Sequence, residues 1–185
     1  MTALAHRVVR QRGFLVALAA AALVLAVLVV QSLLTFFVAQ LGYSGGGSLR
    51  DLPWWSVYGR QVVTVSVPFS VGVLLGFWFI APVAAELRLA HVITRSLLAA
   101  LAGAVLVFLT TTVVEAVATV QGLMDQGALS RLGAETMRTL GVGLALAAQE
   151  FVSATPLVIL AGILLWNWVE RHPSRHPIAG IVDTA

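Results

Sequence analysis

Charged residues are almost absent from four long intervals of this sequence, and their absence constrains the fold more than any motif does. The intervals run from Arg12 to Arg50, from Arg60 to Glu86, from Arg95 to Glu115 and from Arg138 to Glu170. Only Glu150 interrupts the last of them. Each interval can hold a helix of about 20 residues, the length that crosses the hydrocarbon core of a bilayer. The sequence therefore predicts an all-α chain with four transmembrane helices.

Composition agrees with this prediction. Hydrophobic residues make up 59% of the 185 residues, charged residues only 10%, and the mean hydropathy is +0.97. A soluble domain carries about 25% charged residues, so the chain belongs to the membrane class. We expect one domain over residues 1–185, an integral membrane four-helix bundle. The expected helices lie near residues 14–40, 61–86, 96–120 and 138–168, with short basic cytoplasmic tails at 1–13 and 171–185.

The arginines predict how the chain is oriented. There are eleven arginines and no lysine, and they flank the apolar intervals instead of forming one patch. We expect them to contact anionic lipid headgroups and not nucleic acid. The N-terminus, the link 87–95 and the C-terminal tail contain seven arginines, and the two other loops contain four. The positive-inside rule therefore predicts cytoplasmic termini in a multi-pass protein of the cell membrane, which we take to be a prokaryotic plasma membrane.

Polar side chains crowd into one half of each predicted helix. If the helices alternate in direction, all four polar halves face the same side of the bilayer, which the arginine count makes the outer side. Polar groups in hydrocarbon cost several kcal/mol unless they are paired or wetted, so this layer predicts a polar pocket or interface. The candidate residues for ligand binding or a polar core are Gln31, Thr35, Ser70, Thr111, Glu115, Glu150 and Ser153.

Glu150 is the strongest single candidate for a functional group. Helical spacing places it on one face with Gly143 and Ala147, which predicts that it points into the bundle. A carboxyl at this depth without a cation is expected to be protonated and to donate a hydrogen bond. Two interpretations stay open: a tie between helices through Gln31 or a threonine, and a site for a proton or cation.

Glu115 shares a face with Thr111 and lies closer to the outer boundary of its helix. The long side chain of Arg60 or Arg138 is expected to reach it. Two carboxylates support acid–base catalysis only when both reach one substrate atom, which spacing alone does not predict.

Motifs of known enzymes are missing from the sequence. It contains no GxSxG, no HExxH and no cysteine. We therefore expect no catalytic residues, no metal and no cofactor. Small residues instead predict where helices approach closely, at the GxxxG pair Gly72 and Gly76 and at Gly143. Pro68 and Pro156 are expected to kink their helices near the polar layer.

The function predicted from these features is that of a non-enzymatic partner subunit or small-ligand binder. Its polar pocket or interface would lie in the outer half of the bilayer. Expected partners are other membrane protein subunits or a second copy of the chain. The alternative is a transport component, a proton- or cation-linked permease subunit that uses Glu150 and Glu115. The apolar inner halves of the helices do not favour a continuous aqueous path through one copy.

Overall fold

The structure, a computed structural model, describes residues 14–42, 54–81, 88–125 and 131–171, and within these ranges every regular element is helical. The α-helices are α1 (Phe14–Gly42), α2 (Val67–Leu75), α3 (Leu89–Asp125) and α4 (Leu132–Arg171). Helix α2 is the central part of a longer segment, Val57–Ile80, which we call the second span. The segments 1–13, 43–53, 82–87, 126–130 and 172–185 lie outside the described residues, and so do the predicted basic tails apart from Arg171.

Four helical segments are long and apolar enough to cross a membrane, which confirms this part of the sequence prediction. They are Phe14–Ala39, Val57–Ile80, Leu89–Asp125 and Leu132–Arg171. In the most apolar window of each, between 22% and 44% of the residues are buried inside the chain. The remaining apolar surface matches a lipid environment better than water, because large exposed apolar patches are uncommon on soluble monomers.

Helices α3 and α4 are longer than predicted. Helix α3 has 37 residues and α4 has 40, which correspond to about 55 and 60 Å at a rise of about 1.5 Å per residue. The hydrocarbon core is only about 30 Å thick. The predicted ranges 96–120 and 138–168 were therefore too short. Charges mark where the hydrocarbon ends, whereas a helix can continue through Arg95 or Glu135 into a polar environment.

The second span changes its helical hydrogen bonding around Pro68. π-Helical turns occupy Trp54–Gly59 and Val62–Ser66, α2 follows, and a third π-helical turn occupies Gly76–Ile80. The backbone N–H of Val67 donates to the carbonyl of Val62, five residues earlier. Pro68 lies in the first turn of α2 and has no backbone N–H to donate to the π-helical turn before it. The proline therefore marks a change from π-helical to α-helical bonding.

Small residues bring the second span and α3 into close contact. A Cβ atom built on Gly72 would lie 2.5 Å from the Cα of Gly103, and one built on Gly76 would lie 2.5 Å from the Cα of Ala99. The ring of fully buried Phe69 covers Gly103. Glycine and alanine at these positions allow backbone contact that any larger residue would prevent.

Helix α3 is the centre of the bundle, because it packs against both the second span and α4. Its contact with α4 also uses small residues: Gly143 lies against Thr112, and Gly162 lies against Ser96. Helix α1 packs on the second span and on α4. We call the end of the bundle at which α1 ends and α4 begins the upper end.

Candidate functional site

An ion pair joins the second span to α3 in the upper part of the bundle. The Nη2 atom of Arg60 donates to the Oε1 atom of Glu115 at 2.5 Å. The side chains are 52% and 39% exposed, so both remain accessible from outside the chain. Arg60 and Arg138 were the two arginines expected to reach Glu115, and in the structure Arg60 is the one that does. Arg138 instead lies 3.7 Å from Glu135 on its own helix.

A cavity of about 250 Å³ opens beside this ion pair, and we call it the Arg60–Glu115 cavity. Residues of the second span, α3 and α4 line it together. They are Val57, Arg60, Gln61, Thr64, Val65, Thr111, Val114, Glu115 and Leu146. Thr111 and Glu115 are predicted site residues, whereas Arg60 was expected only as a neighbour of Glu115. The spacing of Arg60, Gln61 and Thr64 at the start of the second span could have predicted the other polar lining residues, because residues three or four apart share a helical face.

The polar atoms of the cavity wall differ in their hydrogen-bonding state. The hydroxyl of Thr64 donates to the carbonyl of Arg60 at 2.8 Å, and that of Thr111 donates to the carbonyl of Val107 at 2.7 Å. The Gln61 side chain has no hydrogen-bond partner within the described ranges. The cavity thus offers a cation, an anion, a free amide and two hydroxyl oxygens.

Glu150 lies apart from the lining of this cavity. It is half-buried on α4, on the face that carries the buried residues Gly143, Ala147 and Ala154. The hydroxyl of Ser153 donates to the backbone carbonyl of Glu150 and not to its carboxylate. In the part of the chain that the structure describes, that carboxylate has no hydrogen bond and no ion pair. The predicted tie from Glu150 to Gln31 or a threonine is therefore not formed by these residues.

The structure corrects the expected position of Gln31 and Thr35. In the first part of α1 one face is buried through Ala20, Val24 and Leu28, and helical spacing continues that face to Gln31 and Thr35. Both are nevertheless exposed, and the Thr35 hydroxyl donates to the carbonyl of Gln31 at 2.9 Å. The reason is that, among the described residues, no other helix covers this face near the upper end.

An open groove of about 420 Å³ lies on this exposed face of α1. It is lined by Val27, Val30, Gln31, Leu34, Thr35 and Val38. Near the same end, α1 turns a different side toward the second span, where Phe36 is buried and stacks at an angle on Tyr58. Which face of α1 is covered thus changes along its length.

The hydroxyls of the two predicted serines, Ser70 and Ser153, each donate to a backbone carbonyl of their own helix. Ser70 is buried and donates to the carbonyl of Ser66 at 2.8 Å, and Ser153 is exposed. Thr112 was not a site candidate, yet its hydroxyl oxygen is buried and has no partner in the described residues. A Cβ built on Gly143 would lie 2.5 Å from that oxygen. The Thr112 hydroxyl therefore lies against the backbone of α4 at Gly143 and has no hydrogen-bond partner among the described residues.

Comparison with protein-family models, with curated proteins and with solved structures finds no match for this chain. The described side chains contain no cluster of three or more His, Asp or Glu residues that could hold a metal ion. What the Arg60–Glu115 cavity does provide is a set of fixed donors and acceptors around a space of small-molecule size.

Proposed function

We propose that this chain is a non-enzymatic, multi-pass protein of the cell membrane that binds a small polar ligand in the Arg60–Glu115 cavity. In this proposal the chain acts as a ligand-binding subunit, assembled with other membrane proteins or with further copies of itself. The observation that carries the proposal is the cavity itself, because it combines two opposite charges with a free amide in one accessible space. Small-molecule sites are typically concave and apolar with a few convergent polar groups, as this one is.

The proposed orientation places the cavity in the outer half of the bilayer. Arg60 lies near the start of the second span and Glu115 in the last third of α3, toward the loops with fewer arginines. Tyr58 lies two residues before Arg60, and tyrosine favours the headgroup region of membranes. A ligand would therefore approach from the outer leaflet or from the outer aqueous phase.

Two valines of equal exposure allow a direct test. Val57 lines the cavity and is 53% exposed, whereas Val63 is 54% exposed and does not line it. The full chain is purified in a mild detergent, incubated with a total phospholipid extract and analysed by native mass spectrometry. We expect Val57→Trp to fill the space and to reduce the bound fraction at least about tenfold, equivalent to about 1.4 kcal/mol. Val63→Trp is the control and should retain the wild-type bound fraction. Equal retention by both variants would refute the proposed site.

A second candidate function is supported by Glu150. A half-buried carboxylate that has no partner among the described residues, midway along a membrane-spanning helix, is suited to accept and release a proton or a small cation. In this case the chain would be a transport component. Glu150→Gln keeps the size of the side chain but cannot exchange charge.

Reconstitution in vesicles separates this candidate from a structural role of Glu150. Proton or cation flux is measured with a fluorescent indicator for the wild type, for Glu150→Gln and for Glu170→Gln, an exposed carboxylate on the same helix. Flux that disappears only in Glu150→Gln would favour transport. Absence of flux in the wild-type vesicles would leave ligand binding as the function of the bundle.

A further inference from the structure

We propose that the ligand of the Arg60–Glu115 cavity is a zwitterion that joins a phosphate to a primary ammonium. This is the chemistry of an ethanolamine phospholipid headgroup and of free phosphoethanolamine. The inference rests on the proposed function, since it names the ligand class of the same cavity. Its basis is the way in which the polar atoms of the wall divide into donors and acceptors.

The donors suit a phosphate. The guanidinium of Arg60 has several N–H groups, and the contact with Glu115 engages one of its terminal nitrogens, Nη2. Its planar fork matches two phosphate oxygens at once. The adjacent Gln61 amide, which has no partner in the described part of the chain, adds two further N–H groups. Arg60 and Gln61 together can therefore hold a phosphate with their own donors.

The acceptors suit a primary ammonium. The Glu115 carboxylate accepts hydrogen bonds and offers none while it is ionised. The hydroxyl hydrogens of Thr64 and Thr111 are already used on backbone carbonyls, so their oxygens are left to accept. An ammonium group has three N–H donors and no acceptor, and the wall offers it acceptors on Glu115, Thr64 and Thr111, beside the amide oxygen of Gln61.

The size and the accessibility of the cavity also fit such a ligand. A volume of about 250 Å³ equals about eight water molecules at about 30 Å³ each. A headgroup of about eight non-hydrogen atoms therefore has room to enter. An ion pair as exposed as that of Arg60 and Glu115 contributes little to stability. A ligand that supplies both opposite charges can open the pair and give each partner a new counter-ion.

The proposal predicts an order among headgroups. Phosphocholine carries the same two charges as phosphoethanolamine, but its methylated nitrogen has no N–H to donate to Thr64, Thr111 and Glu115. Phosphoglycerol keeps the phosphate and lacks the cation. Ethanolamine lipids should therefore bind most tightly, because only they satisfy both the donor set and the acceptor set of the wall.

The test measures this order on the delipidated full chain in mild detergent. Dioleoyl lipids with ethanolamine, choline or glycerol headgroups are added separately, and bound lipid is counted by native mass spectrometry. We expect the wild type to bind the ethanolamine lipid at least about tenfold more tightly than either other lipid, the effect of about one charge-assisted hydrogen bond. Glu115→Gln and Thr111→Val should each reduce that preference.

Two control variants carry the same chemical changes away from the cavity. Glu135→Gln removes the carboxylate of the ion pair Glu135–Arg138, and Thr136→Val removes a hydroxyl that donates to a backbone carbonyl at 2.8 Å. Both should keep the wild-type preference. Thr111→Val leaves the ion pair in place, so it tests the acceptor set even if Glu115→Gln folds poorly.

Titration with free phosphoethanolamine identifies the source of the ligand. Calorimetric binding of the free compound assigns the cavity to a soluble zwitterion, whereas binding of the ethanolamine lipid alone assigns it to a lipid of the membrane. Equal binding of the choline or glycerol lipid by the wild type would overturn the inference, and so would an unchanged preference in both Glu115→Gln and Thr111→Val. If Val57→Trp and Val63→Trp also retain every probe equally, the proposed function itself fails.

Discussion

Gly72 and Gly103 lie in backbone contact across the interface between the second span and α3. A Cβ atom on Gly72 would be 2.5 Å from the Cα of Gly103 and 2.6 Å from the carbonyl oxygen of Ala102. Both contacts are with backbone atoms, which cannot move aside as a flexible side chain can. This interface also positions the Arg60–Glu115 cavity, because the same two helices supply most of its wall.

We expect Gly72→Ala to destabilise the bundle by about 1–3 kcal/mol, the usual cost of overpacking a close-packed contact. Gly141 is the matched control, because nothing lies within 4 Å of a Cβ atom built there. Gly141→Ala should be neutral or stabilising by up to about 1 kcal/mol through helix propensity. The free energy of unfolding is measured by denaturant titration in mixed micelles. Equal effects of the two substitutions would contradict the close contact.

The Arg60–Glu115 ion pair is expected to contribute only about 0.2–1 kcal/mol to stability, because both side chains are substantially exposed and, in the proposed orientation, lie toward the outer membrane boundary where water reaches them. A double-mutant cycle with Arg60→Gln and Glu115→Gln isolates this coupling energy. The pair Glu135–Arg138, on one helix and 3.7 Å apart, serves as a second cycle for which we expect about 0.2–0.5 kcal/mol. A coupling of several kcal/mol between Arg60 and Glu115 would show that the pair is far less accessible than the structure indicates.

Thr111 and Thr112 are neighbours with opposite hydrogen-bonding states. The Thr111 hydroxyl donates to the Val107 carbonyl, whereas the buried Thr112 hydroxyl oxygen has no partner in the described residues. Thr111→Val should therefore cost about 0.5–1.5 kcal/mol, the net value of one hydrogen bond. Thr112→Val has nearly the same shape and should be neutral or stabilising, since it removes an unsatisfied polar atom. Thermal unfolding of both variants in one detergent gives the comparison. A larger loss for Thr112→Val than for Thr111→Val would reveal a partner for the Thr112 hydroxyl.

The proposed orientation predicts opposite labelling at the two ends of α3. His91 and Asp125 are both exposed, near its first and last turns, and the chain contains no cysteine of its own. In intact cells an impermeant thiol reagent should label Asp125→Cys. It should label His91→Cys only after the membrane is permeabilised. Labelling of His91→Cys alone in intact cells would reverse the orientation and place the cavity on the cytoplasmic side.

The helices themselves follow from the sequence, because hydropathy and charge are properties of single segments. The intervals without charge predicted four helices of spanning length, and the spacing of Gly72 and Gly76 predicted a face suited to close packing. Helix ends were predicted less well. Arg95 and Glu135 are compatible with a helix in a polar environment, so charge does not mark the start of α3 or the start of α4.

Which residues meet was decided by the tertiary structure. Gly72 could have packed against any small residue of another helix, and Glu115 had Arg60 and Arg138 as equal candidates; the contact between the second span and α3 selected Gly103 and Arg60. The same limit explains Gln31, which its helical face placed inside the bundle and which the uncovered side of α1 leaves exposed. Periodicity determines which side chains share a face. Whether another helix covers that face depends on how the segments pack against one another, and the periodicity of one segment carries no information about that packing.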